Sequence, residues 1–229
     1  LRETLAAKGG AAVIFACATS QVQFLEALVE AEEIDWSRVT MFHMDEYLGI
    51  TSGHPASFRR FLREQVVEPA NRKLVPPAVP KAVHYLEGDA LEPIEECERY
   101  SRLLSAQPID LCCLGIGENG HLAFNDPPVA HFTGPRQVNI VKLEEASRRQ
   151  QVGEGFFPDL AAVPQYAFTL TIPMLCAAKR MLCIVPDQRK ARAVSDSLQG
   201  PDQTACPASF LRTQPQATLY LDAASASLL

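Results

Sequence analysis

The sequence predicts an α/β fold, a doubly wound, mostly parallel sheet with helices on both faces, and two observations carry that expectation. Short apolar runs rich in Val, Ile, Leu and Phe recur along the chain, and segments of helical period lie between several of them. Strands buried on both faces read as near-continuous apolar runs, and their alternation with helical segments implies crossover helices on a parallel sheet. A short helical-looking stretch leads at once into the first strand, Ala11–Cys17. Val22–Glu32 then reads as a helix, Val39–Met44 as the second strand and Ala56–Val67 as the next helix. Pro93–Leu104 reads as a helix and Ile109–Gly115 as a strand; Val138–Val141 and Met181–Val185 are further strands, and Arg189–Leu198 is a helix. In such a sheet ligands bind outside the carboxyl ends of the strands, so the residues that follow each strand are the ones to inspect for chemistry.

Composition narrows the function classes. The chain has 229 residues, 47% of them hydrophobic, which fits one domain spanning 1–229. It lacks an initiator Met, so an upstream piece is expected to be missing. Its 21 basic and 27 acidic residues leave a net charge of -6 with no basic patch, which argues against nucleic acid as a partner. No apolar run reaches the roughly 18 residues of a membrane span, and the start has no signal-peptide pattern. Seven cysteines, an odd number, include Cys112, Cys113 and Cys183 inside apolar runs, where they act as small hydrophobes; a reducing, cytoplasmic setting is expected. Neither the histidines nor the cysteines show metal-ligand spacing, so neither a metal nor another cofactor is expected.

Three segments follow predicted strands. Met44-Asp45-Glu46-Tyr47 is either a solvated loop or, if Asp45 faces the crevice, the place of a general base whose pKa burial raises. The segment Gly115-Ile116-Gly117-Glu118-Asn119-Gly120-His121-Leu122-Ala123-Phe124-Asn125-Asp126 contains Gly-x-Gly-x-x-Gly, which alone suggests a dinucleotide site with Glu144 as ribose carboxylate. Pro127-Pro128 and Gly134-Pro135 stand where the crossover helix would begin, so turns and close backbone approach to a small ligand at Gly117 and Gly120 explain the glycines better. His121 and Asp126 are either structural or an imidazole oriented by a carboxylate. Ala18-Thr19-Ser20-Gln21, between strand and helix, is either an ordinary cap or an anion site at a helix N-terminus, to which Lys190 would add a point charge.

Phe42-His43-Met44-Asp45-Glu46-Tyr47-Leu48-Gly49 and Gly115 through Pro127 resemble the two signatures of glucosamine-6-phosphate deaminases, and weaker similarity runs through Val163–Leu170 and Lys190. The resemblance implies a doubly wound α/β domain, usually oligomeric, that converts an amino-sugar 6-phosphate and water to a ketose 6-phosphate and ammonia. It implies that Asp45 moves the proton between C2 and C1, that His121 opens the sugar ring, and that Asp126 holds the imidazole, with Asn119 beside them. Thr19, Ser20, Gln21, Glu46, Gly117, Gly120 and Lys190 are then the expected substrate and phosphate contacts. The chain departs from the pattern at Asn119 and Asp126, where many members carry Asp and Glu, so restoring Asp at 119 is expected to stabilise the imidazolium. It also departs in the Ala18–Gln21 turn and at Gly155, where an arginine often precedes the aromatic pair; Arg148, Arg149 and Lys190 are the candidate replacements. The alternatives are a 6-phosphogluconolactonase, which shares the fold and a similar loop, and a sugar-phosphate sensing domain, which needs no acid/base residues.

Overall fold

The structure, a computed structural model, describes residues 1–72 and 80–229. Its strands are β1 (Ala11–Phe15), β2 (Val39–His43), β3 (Asp45–Tyr47), β4 (Ala82–His84), β5 (Leu111–Leu114), β6 (Val138–Lys142), β7 (Tyr166–Leu170), β8 (Arg180–Val185) and β9 (Ala217–Leu221). Six of them form a parallel sheet in the order β4-β2-β1-β5-β8-β9. Every residue of β1, β2 and β5 is buried. The reason is visible in β1, whose side chains alternate between two cores. Val13 and Phe15 pack with Leu25, Val29, Trp36 and Leu62 on one face; Ala12 and Ile14 pack with Tyr100, Leu104 and Val194 on the other. Each large apolar side chain so buried stabilises the fold by about 1.5–3 kcal/mol.

The helices are α1 (Arg2–Lys8), α2 (Val22–Glu30), α3 (Phe58–Leu62), α4 (Glu68–Arg72), α5 (Pro93–Ser105), α6 (Glu145–Gly153), α7 (Ile172–Cys176) and α8 (Ala191–Gln199). α3 and α4 are one rod joined by a π-helical stretch, Arg63–Val67. Pro69 lies just beyond that stretch. Its ring cannot donate a hydrogen bond and crowds the carbonyl one turn earlier, and the wider π turn accommodates this without a break. The rod therefore continues past the expected boundary at Val67.

The strands differ from expectation in two respects: β3, β4, β7 and β9 lie outside the runs that read as strands, and one expected strand sits in another sheet. Val138–Val141 does not join the parallel sheet; β6 belongs to a separate antiparallel sheet of order β3-β7-β6. Met44 connects the two sheets, since its N–H donates to Phe15 O of β1 (3.2 Å) and its carbonyl accepts from Leu170 N–H of β7 (2.7 Å). The parallel sheet reverses its winding between β1 and β5, so their carboxyl ends open a crevice, and the small sheet lies beside it. Among the described residues no helix is long and apolar enough to cross a membrane.

Candidate active site

At the carboxyl ends of β1, β2, β5 and β8 lies a cavity of about 420 Å³, lined by Thr19, Ser20, Asp45, Gly117, His121 and Lys190 among others. That volume is in the range of a small-molecule site. Asp45 starts β3, where it pairs with Thr169 of β7. Its backbone is held from the other side too. Leu86 N–H donates to His43 Nε2 (2.9 Å), so Nδ1 carries the proton and donates to Asp45 O (2.8 Å). Burial drives the His43 pKa down to about 3, so this imidazole is a neutral strut rather than an acid or base. The Asp45 side chain, by contrast, faces the cavity, and no hydrogen bond among the described residues engages its carboxylate. Burial, reinforced by the neighbouring Glu46 charge, pushes its pKa well above the usual carboxylate range. Once ionised such a carboxylate is a strong base, and a cationic amino group entering the cavity favours the ionised form.

His121 is on the loop after β5. Thr169, the ladder partner of Asp45, pins that loop: its hydroxyl accepts from Phe124 N–H at 3.1 Å. Asn125 adds donations to Leu122 O and Leu170 O, both at 2.8 Å. One rung of the small sheet thus holds both Asp45 and the loop that carries His121. His121 Nδ1 lies 2.7 Å from Asn119 Oδ1, and 3.2 Å from Asp126 Oδ1. Asn119 Nδ2 donates to Asp126 Oδ1 (3.0 Å) and to Glu144 Oε2 (3.2 Å). An amide nitrogen between two carboxylates fixes the amide orientation, so its oxygen must face His121, and Nδ1 must carry a proton. Nε2 is left without a protein partner among the described residues, on a ring that lines the cavity. Asp126 is almost fully buried; burial alone would raise its pKa, but hydrogen bonds from His121, Asn119 and Ser147 outweigh it and hold the value at about 2. Gly117 is required here, because a Cβ at that position would overlap the His121 ring. Ala123, a cavity-lining residue without glycine's freedom, is held at φ 52, backbone strain of the kind that collects at functional sites.

The opposite end of the cavity carries mixed charge. Lys190 is 6% exposed, and burial holds its pKa below the ordinary lysine value, partly offset by Glu118 and Glu154. No hydrogen bond or ion pair among the described residues engages its ammonium. Arg189 pairs with Asp187 (2.9 Å) and Glu118 (3.7 Å). Thr19 Oγ1 donates to Glu154 Oε2 at 2.7 Å, and Gln150 Nε2 donates to Glu154 Oε1 at 2.7 Å. The Thr19 hydroxyl is therefore occupied by a carboxylate.

Residues 1–220 match the family model of glucosamine-6-phosphate isomerases/6-phosphogluconolactonase. The chain belongs to this family. It is 35% identical to a glucosamine-6-phosphate deaminase of Exiguobacterium sibiricum over 199 residues, 86% of this chain and 73% of that protein. It is 37% identical to one of Bacillus thuringiensis over 204 residues, 88% of this chain and 72% of that protein. A solved monomeric glucosamine-6-phosphate deaminase superposes with a TM-score of 0.89 at 28% identity, covering 100% of this chain and 92% of the other. The 6-phosphogluconolactonase of Thermotoga maritima shares the fold, with a TM-score of 0.72 at 22% identity over 96% of this chain and 88% of the other.

Against the family signatures, the structure brings Thr19, Ser20, Gln21, Asp45, Gly117, His121 and Lys190 to one cavity, with Asn119 and Asp126 directly behind His121. Two expected contacts lie elsewhere. Gly120 turns away at φ 82 against Cys206. Glu46 is fully buried outside the cavity, where it accepts from Tyr47 N–H, Ser57 Oγ, Phe58 N–H and Arg59 N–H at 2.8–3.1 Å. The buried Arg59 pairs with Glu46 (3.3 Å), Glu87 and Asp89 (2.8 Å). Glu46→Ala removes the central partner of these donors and is expected to destabilise the fold by about 3 kcal/mol, read as a lower urea midpoint. Arg148 and Arg149 do not reach the cavity either: Arg148 holds the carbonyls of Leu160 (2.5 Å) and Val163 (2.9 Å), and Arg149 pairs with Glu145 (2.5 Å). The Gly-x-Gly-x-x-Gly loop opens no helix, and Glu144 contacts Asn119 rather than a ribose site. Sequence reasoning assigned no role to Thr169, although it lies within the family-like stretch Val163–Leu170, and it missed Ser147 and Glu154, polar side chains without a motif of their own. Among the cysteines, burial pushes Cys113 and Cys176 up to about 12, which leaves both protonated at neutral pH.

Proposed function

We propose that this chain deaminates glucosamine 6-phosphate, or a close amino-sugar phosphate such as galactosamine 6-phosphate, to a ketose 6-phosphate and ammonia. The observation that carries this reading is that a carboxylate and an imidazole nitrogen, each without a partner among the described residues, face one cavity, with Thr169 pairing with Asp45 in the ladder and pinning the loop that carries His121. Family membership and the deaminase names of its relatives support it. His121 Nε2 takes the anomeric hydroxyl proton and returns one to the ring oxygen, opening the pyranose. Asp45 removes the C2 proton from the open aldose and delivers it to C1 by way of an enolamine. The resulting C2 ketimine adds water and expels ammonia, leaving the ketose. Burial raises the Asp45 pKa, which makes its ionised carboxylate a stronger base than one in water and suits it to take the C2 proton. The phosphate goes to the Lys190 end, where Thr19 and the start of α2 supply further donors once Glu154 gives way.

Hydrolysis of a 6-phosphogluconolactone needs no base at C2, so the placement of Asp45 favours the deaminase over that relative's chemistry. The test is ammonia release from a panel of amino-sugar 6-phosphates, with 6-phosphogluconolactone as control, with and without chelator. We expect ammonia from at least one amino sugar, unaffected by chelation. Lactone hydrolysis without ammonia release would replace this reading, and inactivation by chelator would overturn the metal-free mechanism.

A further inference from the structure

We propose that Glu144 is a positioning residue for His121, and that it supplies through Asn119 a carboxylate that the loop itself lacks at position 119. Glu144 stands immediately before α6 in extended conformation, φ -69 and ψ 149, where a side chain ordinarily caps its own helix; it makes no such bond. Its carboxylate instead reaches Asn119 Nδ2 at 3.2 Å, while its backbone N–H donates to Asp126 Oδ2 at 3.1 Å. Glu144 is thus fixed by one member of the imidazole's hydrogen-bond network and fixes another. The second carboxylate on Nδ2 is what makes the flipped amide costly: turned over, Asn119 would present its oxygen to Asp126 and Glu144 and its NH2 to the protonated Nδ1 of His121. By holding the amide oxygen on Nδ1, Glu144 keeps the other ring nitrogen available to the cavity. Without it the amide would be held only by Asp126 and by the His121 backbone N–H, which donates to Asn119 Oδ1 at 3.1 Å, and Ser147 Oγ, at 2.5 Å, already occupies the same Asp126 oxygen.

This also changes the expectation for Asn119→Asp. With Glu144 and Asp126 both against position 119, a third carboxylate loses two donated hydrogen bonds and meets like charge on two sides, so the substitution should impair His121 rather than support it. An exchange of roles, Asn119→Asp with Glu144→Gln, restores an amide–carboxylate pair and should recover function.

The kinetic arm rests on the proposed deaminase activity, whereas the spectroscopic arm does not. Nitrogen-15 NMR of the His121 ring should show a single Nδ1–H tautomer in the unsubstituted chain and a mixture in Glu144→Gln. With glucosamine 6-phosphate, Glu144→Gln and Asn119→Asp should each lower kcat about 10-fold with little change in KM, and the double variant should regain most of it, a coupling expected for groups in one network. A single tautomer in Glu144→Gln, or a double variant no better than the worse single one, overturns the proposal. If the unsubstituted chain releases no ammonia, the functional reading fails and the tautomer measurement still decides the role of Glu144.

Discussion

Asp45→Asn is expected to bind substrate much as the unsubstituted chain does and to lose about 10²- to 10⁴-fold in turnover, the usual cost of removing a general base. The amide keeps the shape of the side chain, and its backbone remains held by His43 and by Thr169 on β7. It cannot accept the C2 proton. Exchange of the substrate C2 hydrogen with solvent deuterium separates this role from a structural one. That exchange should vanish in the variant while KM changes little; exchange at the original rate would remove Asp45 from the mechanism.

Lys190→Ala is expected to raise KM about 10- to 100-fold, because a charge-assisted contact to phosphate contributes roughly 1.5–3 kcal/mol. No other cation lining the cavity is free of carboxylate partners among the described residues, since Arg189 is already paired. The pH dependence has a definite sign. Burial lowers the Lys190 pKa, so its charge is lost at a lower pH than for an ordinary lysine, and KM should climb as pH rises into the alkaline range. That climb should be absent in Lys190→Ala. Glu154→Gln should act in the opposite direction, lowering KM, because it removes the negative charge that now holds Thr19. Unchanged KM in Lys190→Ala would place the phosphate elsewhere.

The strands most legible in the sequence are those whose apolar residues run without interruption; β7, buried over most of its length, is broken by Thr169 and reads as no run. β1 and β5 are enclosed on both faces, so their residues are apolar without interruption, and the runs mark them. β9 at the sheet edge has no fully buried residue, and β4 at the other edge is only half-buried, so neither stands out as an apolar run. β3 reads Asp-Glu-Tyr and looks like a loop, because Asp45 lines the cavity and Glu46 accepts hydrogen bonds from the start of α3, so neither carboxylate is apolar packing. α6 was invisible for a related reason: the residues it buries are Ser147 and Gln151, which leave no hydrophobic stripe. β6 looked like a strand and is one, but short apolar runs do not reveal which sheet they join. In the site, Asp45 and His121 were legible from motif and position after a strand. The Glu144 and Glu154 contacts were not, since both depend on how a polar helix lies against loops distant in sequence.

Met44 is hydrogen-bonded to both sheets, so catalytic competence requires both ladders to be closed. The amino-terminal strands can complete their parallel pairing with β5 while the base and the imidazole are still unrelated in space. Only the arrival of Tyr166–Leu170 closes the second ladder, engages the Met44 carbonyl and brings Thr169 against the loop of His121. A partly refolded population that lacks the second ladder would thus have native-like secondary structure and no activity. The same rung works in reverse in the native state: local opening of the antiparallel ladder would disconnect Asp45 from the His121 loop and withdraw Phe168 and Leu170 from the core they share with Ile14 and Cys112.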